Sequence, residues 1–191
     1  MKRAFQISFL RSVGLTPDHY LLDLGCGTLR GGIPIIEYLE PGHYYGVESR
    51  AHVLAEGQQE LVESGLQDRL PQLFHFNHLR DRDLGRCFDV VWAFSVLIHL
   101  TDEILDEALE FVKRHLASDG TFYANVNIGD ACQDGSWEVF PRVHRSVKFY
   151  EQAFLNAGLS LRFMGSLREL GHVSGHAGFG DAQQMLQIKR I

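Results

Sequence analysis

The apolar run at residues 20–24 (YLLDL) stops at Gly25-Cys26-Gly27-Thr28, and a stretch of helical character follows over residues 30–40. A short apolar segment bounded by glycines reads as a buried strand. A strand that passes through a Gly-x-Gly turn into a helix leaves backbone N–H groups facing whatever lies beside the turn. The backbone at that turn is then open to close approach by a ligand.

The rest of the chain repeats this alternation. Residues 1–15 read as a short amphipathic helix, with Phe5, Phe9 or Leu10, and Val13 near helical spacing. Pro34 is tolerated early in the helix at 30–40, and Pro41-Gly42 marks a break after it. Strands are expected at 43–47, 73–76, 88–94, 121–126, 159–164 and 185–188, with helices at 51–64 and 147–157. Thr101 suits an N-cap for a helix whose apolar stripe is Leu105, Leu109, Val112 and Leu116, ending before Gly120. Gly158 would end the helix at 147–157 as a C′ glycine. Residues 129–144 are polar and glycine-containing, the composition of a loop or lid. The pattern describes an α/β fold with helices on both faces of a largely parallel sheet. Residues 1–191 carry neither an internal repeat nor a linker, so one domain is expected.

Several ligands could lie against the glycine turn. A dinucleotide loop wants G-x-G-x-x-G, whose third glycine falls at Arg30, with Gly31 one place late. A Walker-type phosphate loop is excluded, since no Gly-Lys-Ser/Thr comes after it. A plain turn without ligand is the remaining alternative.

Four segments in order change that balance. Leu22-Asp23-Leu24-Gly25-Cys26-Gly27-Thr28 resembles motif I of the class I S-adenosylmethionine-dependent methyltransferases, with Asp23 two places before the first glycine. Tyr44-Tyr45-Gly46-Val47-Glu48 is similar to that family's second strand. The segment 88–100, with Ser95-Val96 and His99-Leu100, resembles its fourth strand and the turn after it. Gly120-Thr121-Phe122-Tyr123-Ala124 resembles its fifth. Two departures stand out: Leu29 occupies the place of a common third glycine, and Asn77 stands where Asp is frequent.

The resemblance implies a Rossmann-like seven-stranded sheet whose last strand is antiparallel, with S-adenosylmethionine as cofactor and S-adenosylhomocysteine as product. It implies that Gly25, Cys26, Gly27 and Gly31 let the backbone pass the methionyl end, and that Asp23 orients the amino group. Glu48 would receive the ribose hydroxyls, as an acid about 20 residues past the loop does in this geometry. Ser49 would bind the cofactor beside Glu48, and Asn77 would contact the adenine amino group; for Asn77 the alternative is a turn cap. Phe94 and Ser95 would border the methyl group and acceptor, with core packing as the alternative for Phe94.

Methyl transfer needs in-line placement first, and a general base only when the acceptor must lose a proton near the transition state. His99 is the acid/base candidate, since an imidazole titrates near neutrality; a structural role is its alternative. Tyr123, Asn127 and Trp137 are candidates for an acceptor pocket. His144 and Arg145 would meet an acidic acceptor or lie on a solvated face. His172 and His176 are four apart, as metal-sharing helical histidines are, but Gly171, Gly175 and Gly178 argue for a hairpin connection and no metal.

Composition narrows the acceptor. A formal net charge of −6 without a basic block argues against nucleic acid. The start MKRAFQISFL has no apolar h-region and no window is long enough to span a membrane. Three widely spaced cysteines suggest reduced thiols in a cytoplasmic protein. A small-molecule acceptor is expected, covered by residues 129–144 and 166–182 or by a homodimer partner. A cofactor-binding module without catalysis and a nicotinamide oxidoreductase are the competing readings.

Overall fold

A computed structural model describes residues 2–80, 82–130, 132–137, 140–173 and 180–191. In chain order the elements are α1 (Lys2–Ser12), β1 (Leu21–Leu24), α2 (Gly32–Tyr38), β2 (Tyr44–Glu48), α3 (Ala51–Glu63), β3 (Gln72–His75) and β4 (Phe88–Ala93). They continue with α4 (Asp102–His115), β5 (Leu116–Val126), β6 (Cys132–Trp137), β7 (Phe140–His144), α5 (Val147–Asn156), β8 (Leu159–Ser166) and β9 (Gln184–Arg190).

The main sheet has seven strands in the order β3-β2-β1-β4-β5-β9-β8. β1, β2, β3, β4 and β5 pair in parallel, while β9 is antiparallel to both β5 and β8. The order reverses between β1 and β4, and a crevice at the carboxyl ends of strands flanking such a switch point is where open α/β sheets bind ligands.

Alternation along each strand divides the core. Leu22, Leu24, Val91, Ala93, Phe122 and Ala124 pack with Leu105, Leu109, Val112, Tyr150 and Phe154 of α4 and α5. Leu21, Val90, Trp92 and Tyr123 face Phe9, Leu10, Ile35, Ile36 and Leu54 of the α1–α2–α3 side. Both faces are covered, as the largely parallel sheet requires.

Two boundaries differ from the sequence reading. α4 stops at His115 and β5 begins at Leu116, which pairs with Phe88 before a bulge. At that bulge a Cβ on Gly120 would lie 2.7 Å from the Phe88 carbonyl oxygen, so the close backbone approach needs glycine. The second is the stretch 129–144, read as a loop or lid, which contains the antiparallel pair β6–β7. Its polar, glycine-containing composition lacks the apolar alternation that marks a core strand. Thr101 takes the extended N-cap conformation without a side-chain capping bond, whereas Ser146 does cap α5, accepting from Phe149 N–H. Gly158 has φ +69° and donates to the Leu155 carbonyl at 2.9 Å, ending that helix as expected. No described helix is long and apolar enough to cross a membrane.

Candidate active site

The turn after β1 is tied to β2 by two bonds: the N–H groups of Gly25 and Cys26 both donate to the Val47 carbonyl, at 2.8 and 3.0 Å. Gly25 and Gly27 have φ of +75° and +56°. Their surroundings differ. A Cβ on Gly25 would lie 2.6 Å from Cγ2 of Val96, whereas one on Gly27 would meet nothing within 4 Å. Gly25 therefore serves close packing, and Gly27 borders open space.

Leu29, in the place of a third glycine, has φ +55° and is fully buried. A left-handed conformation costs an L-residue about 1–2 kcal/mol, and burying a leucine side chain contributes about 1.5–3 kcal/mol. The side chain fits because two helices lack a Cβ where it lies: one on Gly32 of α2 or Gly57 of α3 would come 3.1 Å from it. Leu29 thus anchors the loop to both helices. Gly31 is pressed against α1, since a Cβ there would lie 2.4 Å from the Gln6 amide, which also accepts from Trp92 Nε1 at 2.8 Å.

Asp23 points to the α1–α2–α3 side, 5% exposed, and accepts a 2.6 Å bond from the Tyr44 hydroxyl. Burial pushes its carboxyl up to about 7; the Tyr44 bond opposes the rise and the charge of Glu48 adds to it. The Cys26 thiol is pushed well up by burial and by the Asp23 and Glu48 charges, so it stays protonated at neutral pH. Because the native state holds the Asp23 proton more tightly than the unfolded chain, its stabilising share is complete below about pH 4 and is lost as pH rises through about 7. In thermal melts from pH 4 to 8, Asp23→Asn, which still accepts from Tyr44, is expected to gain on the wild type up to about pH 7 and hold a constant lead above it. A lead that does not change with pH would show that Asp23 titrates normally.

Glu48 closes β2, 4% exposed, and its carboxylate reaches back to the turn. Oε2 accepts from Gly27 N–H at 3.1 Å, and Oε1 accepts from Arg50 N–H at 3.0 Å and Arg50 Nε at 3.1 Å. Ser49 is exposed beside it, and Asn77 is exposed just past β3.

At the end of β4, Ser95 has φ +60° and donates its N–H to Oδ1 of the buried Asn125 at 2.7 Å. Asn125 in turn donates to Gln183 Oε1 at 2.5 Å. Phe94 stacks on Trp92 and lies 5.8 Å from Phe5 and 5.5 Å from the ring of His172. His172 is buried and pairs with Asp181 at 3.3 Å; His176 lies outside the described residues.

His99 sits in a single 3-10 turn, Leu97–His99. Its Nδ1–H donates to the Pro141 carbonyl at 2.8 Å, which fixes Nε2 as the basic nitrogen. Burial chiefly lowers its pKa, and the charges of Arg50 and Arg142 act in the same direction against the Pro141 bond. β7 is thereby joined to the ends of the parallel strands: Pro141 to His99, Val143 to Asn127 (3.1 Å), and Phe140 to Arg50, whose guanidinium carbon is 5.0 Å from the ring.

The remaining candidates separate from this crevice. Tyr123 is core: it packs edge-on against Phe9 and its hydroxyl accepts from Gln187. Arg145 is not on a solvated face but 3% exposed, donating to Asp102 (Nε, 2.9 Å) and to the Leu100 carbonyl. His144 is half-buried on β7, and the Trp137 side chain lies outside the described residues. Among the described residues no group of three or more metal-capable side chains gathers.

The family model described as a methyltransferase domain matches residues 22–122, more than half of the chain and the whole span from β1 into β5. The chain belongs to the methyltransferase-domain family. Its fold is that of the class I S-adenosylmethionine-dependent enzymes. A S-adenosylmethionine-dependent methyltransferase from Clostridium acetobutylicum matches with TM-score 0.72 at 15% identity, covering 99% of this chain and 91% of its own. Magnesium protoporphyrin IX methyltransferase from Synechocystis, solved with bound S-adenosylmethionine, matches with TM-score 0.70 at 17% identity, covering 100% and 79%. The glycopeptide N-methyltransferase MtfA matches with TM-score 0.75 at 14% identity, covering 100% and 91%. No curated protein matches the sequence.

In this methyltransferase the turn, Glu48 and the Ser95–His99 segment converge at the carboxyl ends of β1, β2 and β4. Sequence reasoning did not single out Tyr44, Arg50, Asn125 or Phe140 as site neighbours. Tyr44 stood within the Glu48 motif and Arg50 just after it, but the Tyr44–Asp23 bond depends on the β1–β2 register and the Arg50–Phe140 contact on tertiary packing. Asn125 and Phe140 left no local signal.

Proposed function

We propose that this methyltransferase moves the methyl group of S-adenosylmethionine to a small-molecule acceptor, through one domain spanning residues 1–191, in the cytoplasm and without a nucleic-acid partner. The observation that carries the reading is the pairing of Gly27 with Glu48. A left-handed glycine beside open space donates its N–H to a buried carboxylate at 3.1 Å, forming a cradle that a side chain at position 27 would fill. That cradle fits a methionyl-ribosyl ligand.

When bound, the cofactor supplies an electrophilic methyl on a sulfonium that needs no further activation. The chain's own task is placement. The backbone of Gly25, Cys26 and Gly27 passes the methionyl end, with Gly31 supporting the loop through α1. Glu48 accepts from a ribose hydroxyl, Ser49 binds the cofactor beside it, and Asn77 borders the adenine. Asp23 acts on the ammonium group from beneath the turn; a cation there favours the ionised carboxylate, whose proton then leaves. Phe94 and Ser95 border the reacting carbon, and Asn125 keeps Ser95 in its left-handed conformation. His99, basic at Nε2, is the group for taking a proton where the acceptor carries one. The acidic charge and the absence of a basic block support a small-molecule acceptor. A homodimer partner or β7 would cover it.

Calorimetric titration with S-adenosylhomocysteine and with NADH tests the cofactor, and transfer of labelled methyl into a metabolite extract tests the activity. Binding of the first ligand and label in a low-molecular-mass product are expected. NADH binding alone would overturn the reading. Label appearing only in RNA or protein would overturn the acceptor class, and cofactor binding with no transfer would leave a binding module.

A further inference from the structure

Arg50 stands two residues past the ribose-type carboxylate and has no role in the scheme above, yet it touches both the carboxylate and β7. Its Nε and backbone N–H both donate to Oε1 of Glu48, and the two side chains are 20% and 5% exposed. Its guanidinium lies over the Phe140 ring at 5.0 Å. Phe140 is also 6.1 Å, ring to ring, from His99, whose neighbour on β7 is Pro141. One side chain thus sits between the cofactor carboxylate and the strand that crosses the crevice.

We propose that Arg50 is a positioning residue of the cofactor site, which orients Glu48 through Nε and couples it to β7 through Phe140. This rests on the reading of Glu48 as the ribose acceptor. A carboxylate offers about four lone-pair sites. Arg50 donates twice to Oε1, where the Ser49 hydroxyl also lies at 3.5 Å, and Gly27 donates once to Oε2, so the site left is on the oxygen beside the open space at Gly27. The carboxylate is therefore already turned toward an incoming hydroxyl. A buried carboxylate also needs charge compensation, and removing its cation leaves it uncompensated. Ligand binding removes more water from Glu48 and makes that compensation more valuable. A guanidinium can donate in its plane while an aromatic ring covers its face, which an ammonium cannot do. Phe140, in turn, limits the orientations open to the guanidinium.

The test is calorimetric titration of S-adenosylhomocysteine into wild type, Arg50→Ala, Arg50→Lys, Phe140→Ala and the Arg50→Ala/Phe140→Ala double variant, each checked by thermal melting. Arg50→Ala is expected to weaken binding about tenfold or more, with Arg50→Lys recovering only a minor part. Phe140→Ala should weaken it about threefold alone and add nothing in the Arg50→Ala background. A second readout needs no ligand: in NMR titration His99 should become more basic in Arg50→Ala, since the Arg50 charge, with that of Arg142, lowers its pKa. Undiminished binding by Arg50→Ala, strictly additive losses, or an unmoved His99 titration would each overturn the proposal. If the wild type binds no S-adenosylhomocysteine, the cofactor reading itself falls; if the wild type binds and the variants match it, only the role of Arg50 falls.

Discussion

Glu48→Ala is expected to weaken S-adenosylhomocysteine binding by about 100-fold, while His99→Ala weakens it by less than about threefold. A hydrogen bond to a charged group contributes about 1.5–3 kcal/mol, and a ribose hydroxyl would fill the site left on Oε2 beside Gly27. The same substitution strips partners from Gly27 N–H and Arg50, so the loop loses orientation together with the direct contacts. His99 is engaged with Pro141 and acts, on this reading, at the acceptor side of the crevice. Calorimetry on both variants decides the matter, provided each melts cooperatively. Equal losses would mean that ribose recognition and proton handling have been assigned to the wrong residues.

The second large effect separates two glycines that look equivalent in the sequence. Gly25→Ala is expected to destabilise the fold by about 3 kcal/mol, from about 1–2 kcal/mol for the left-handed backbone and about 1–3 kcal/mol for forcing a methyl into a filled space. Val96 is the side chain that would be struck, at 2.6 Å. For a chain of this size that lowers the melting midpoint by roughly 6–12 °C. Gly27→Ala carries only the backbone cost, about 1–2 kcal/mol, because its methyl enters open space. That space is the cradle, so Gly27→Ala should weaken S-adenosylhomocysteine binding at least about tenfold while melting only a few degrees lower. A Gly25 variant as stable as the wild type, or a Gly27 variant with full affinity, would refute this division.

The contrast shows what the sequence could and could not convey. The alternation of strands and helices, the glycine turn, Gly158 and the acid at Glu48 are local signals, carried by periodicity and by backbone requirements within a few residues. They were enough for an α/β sheet covered on both faces; the antiparallel β9 was implied by the resemblance alone. The purpose of each glycine was not legible, because Val96, Gln6 and Tyr44 reach positions 25, 31 and 32 only through tertiary packing. Leu29 read as a missing glycine, although the compensating gaps at Gly32 and Gly57 make it an anchor. Arg145 carried the signature of an exposed cation, and its burial depends on Asp102, far away in the chain. β6–β7 escaped detection because its residues lack the apolar alternation of a core strand.

The sheet order carries a consequence for how the chain acquires its shape. β9 lies between β5 and β8, although β8 precedes it in the chain. β8 therefore has no strand partner until β9 has been synthesised and inserted, and until then both β5 and β8 present unpaired edges. The segment β3-β2-β1-β4-β5, with the glycine turn, Glu48 and Ser95, can pair before that moment. The crevice would thus be framed by five of the seven strands before β9 inserts between β5 and β8.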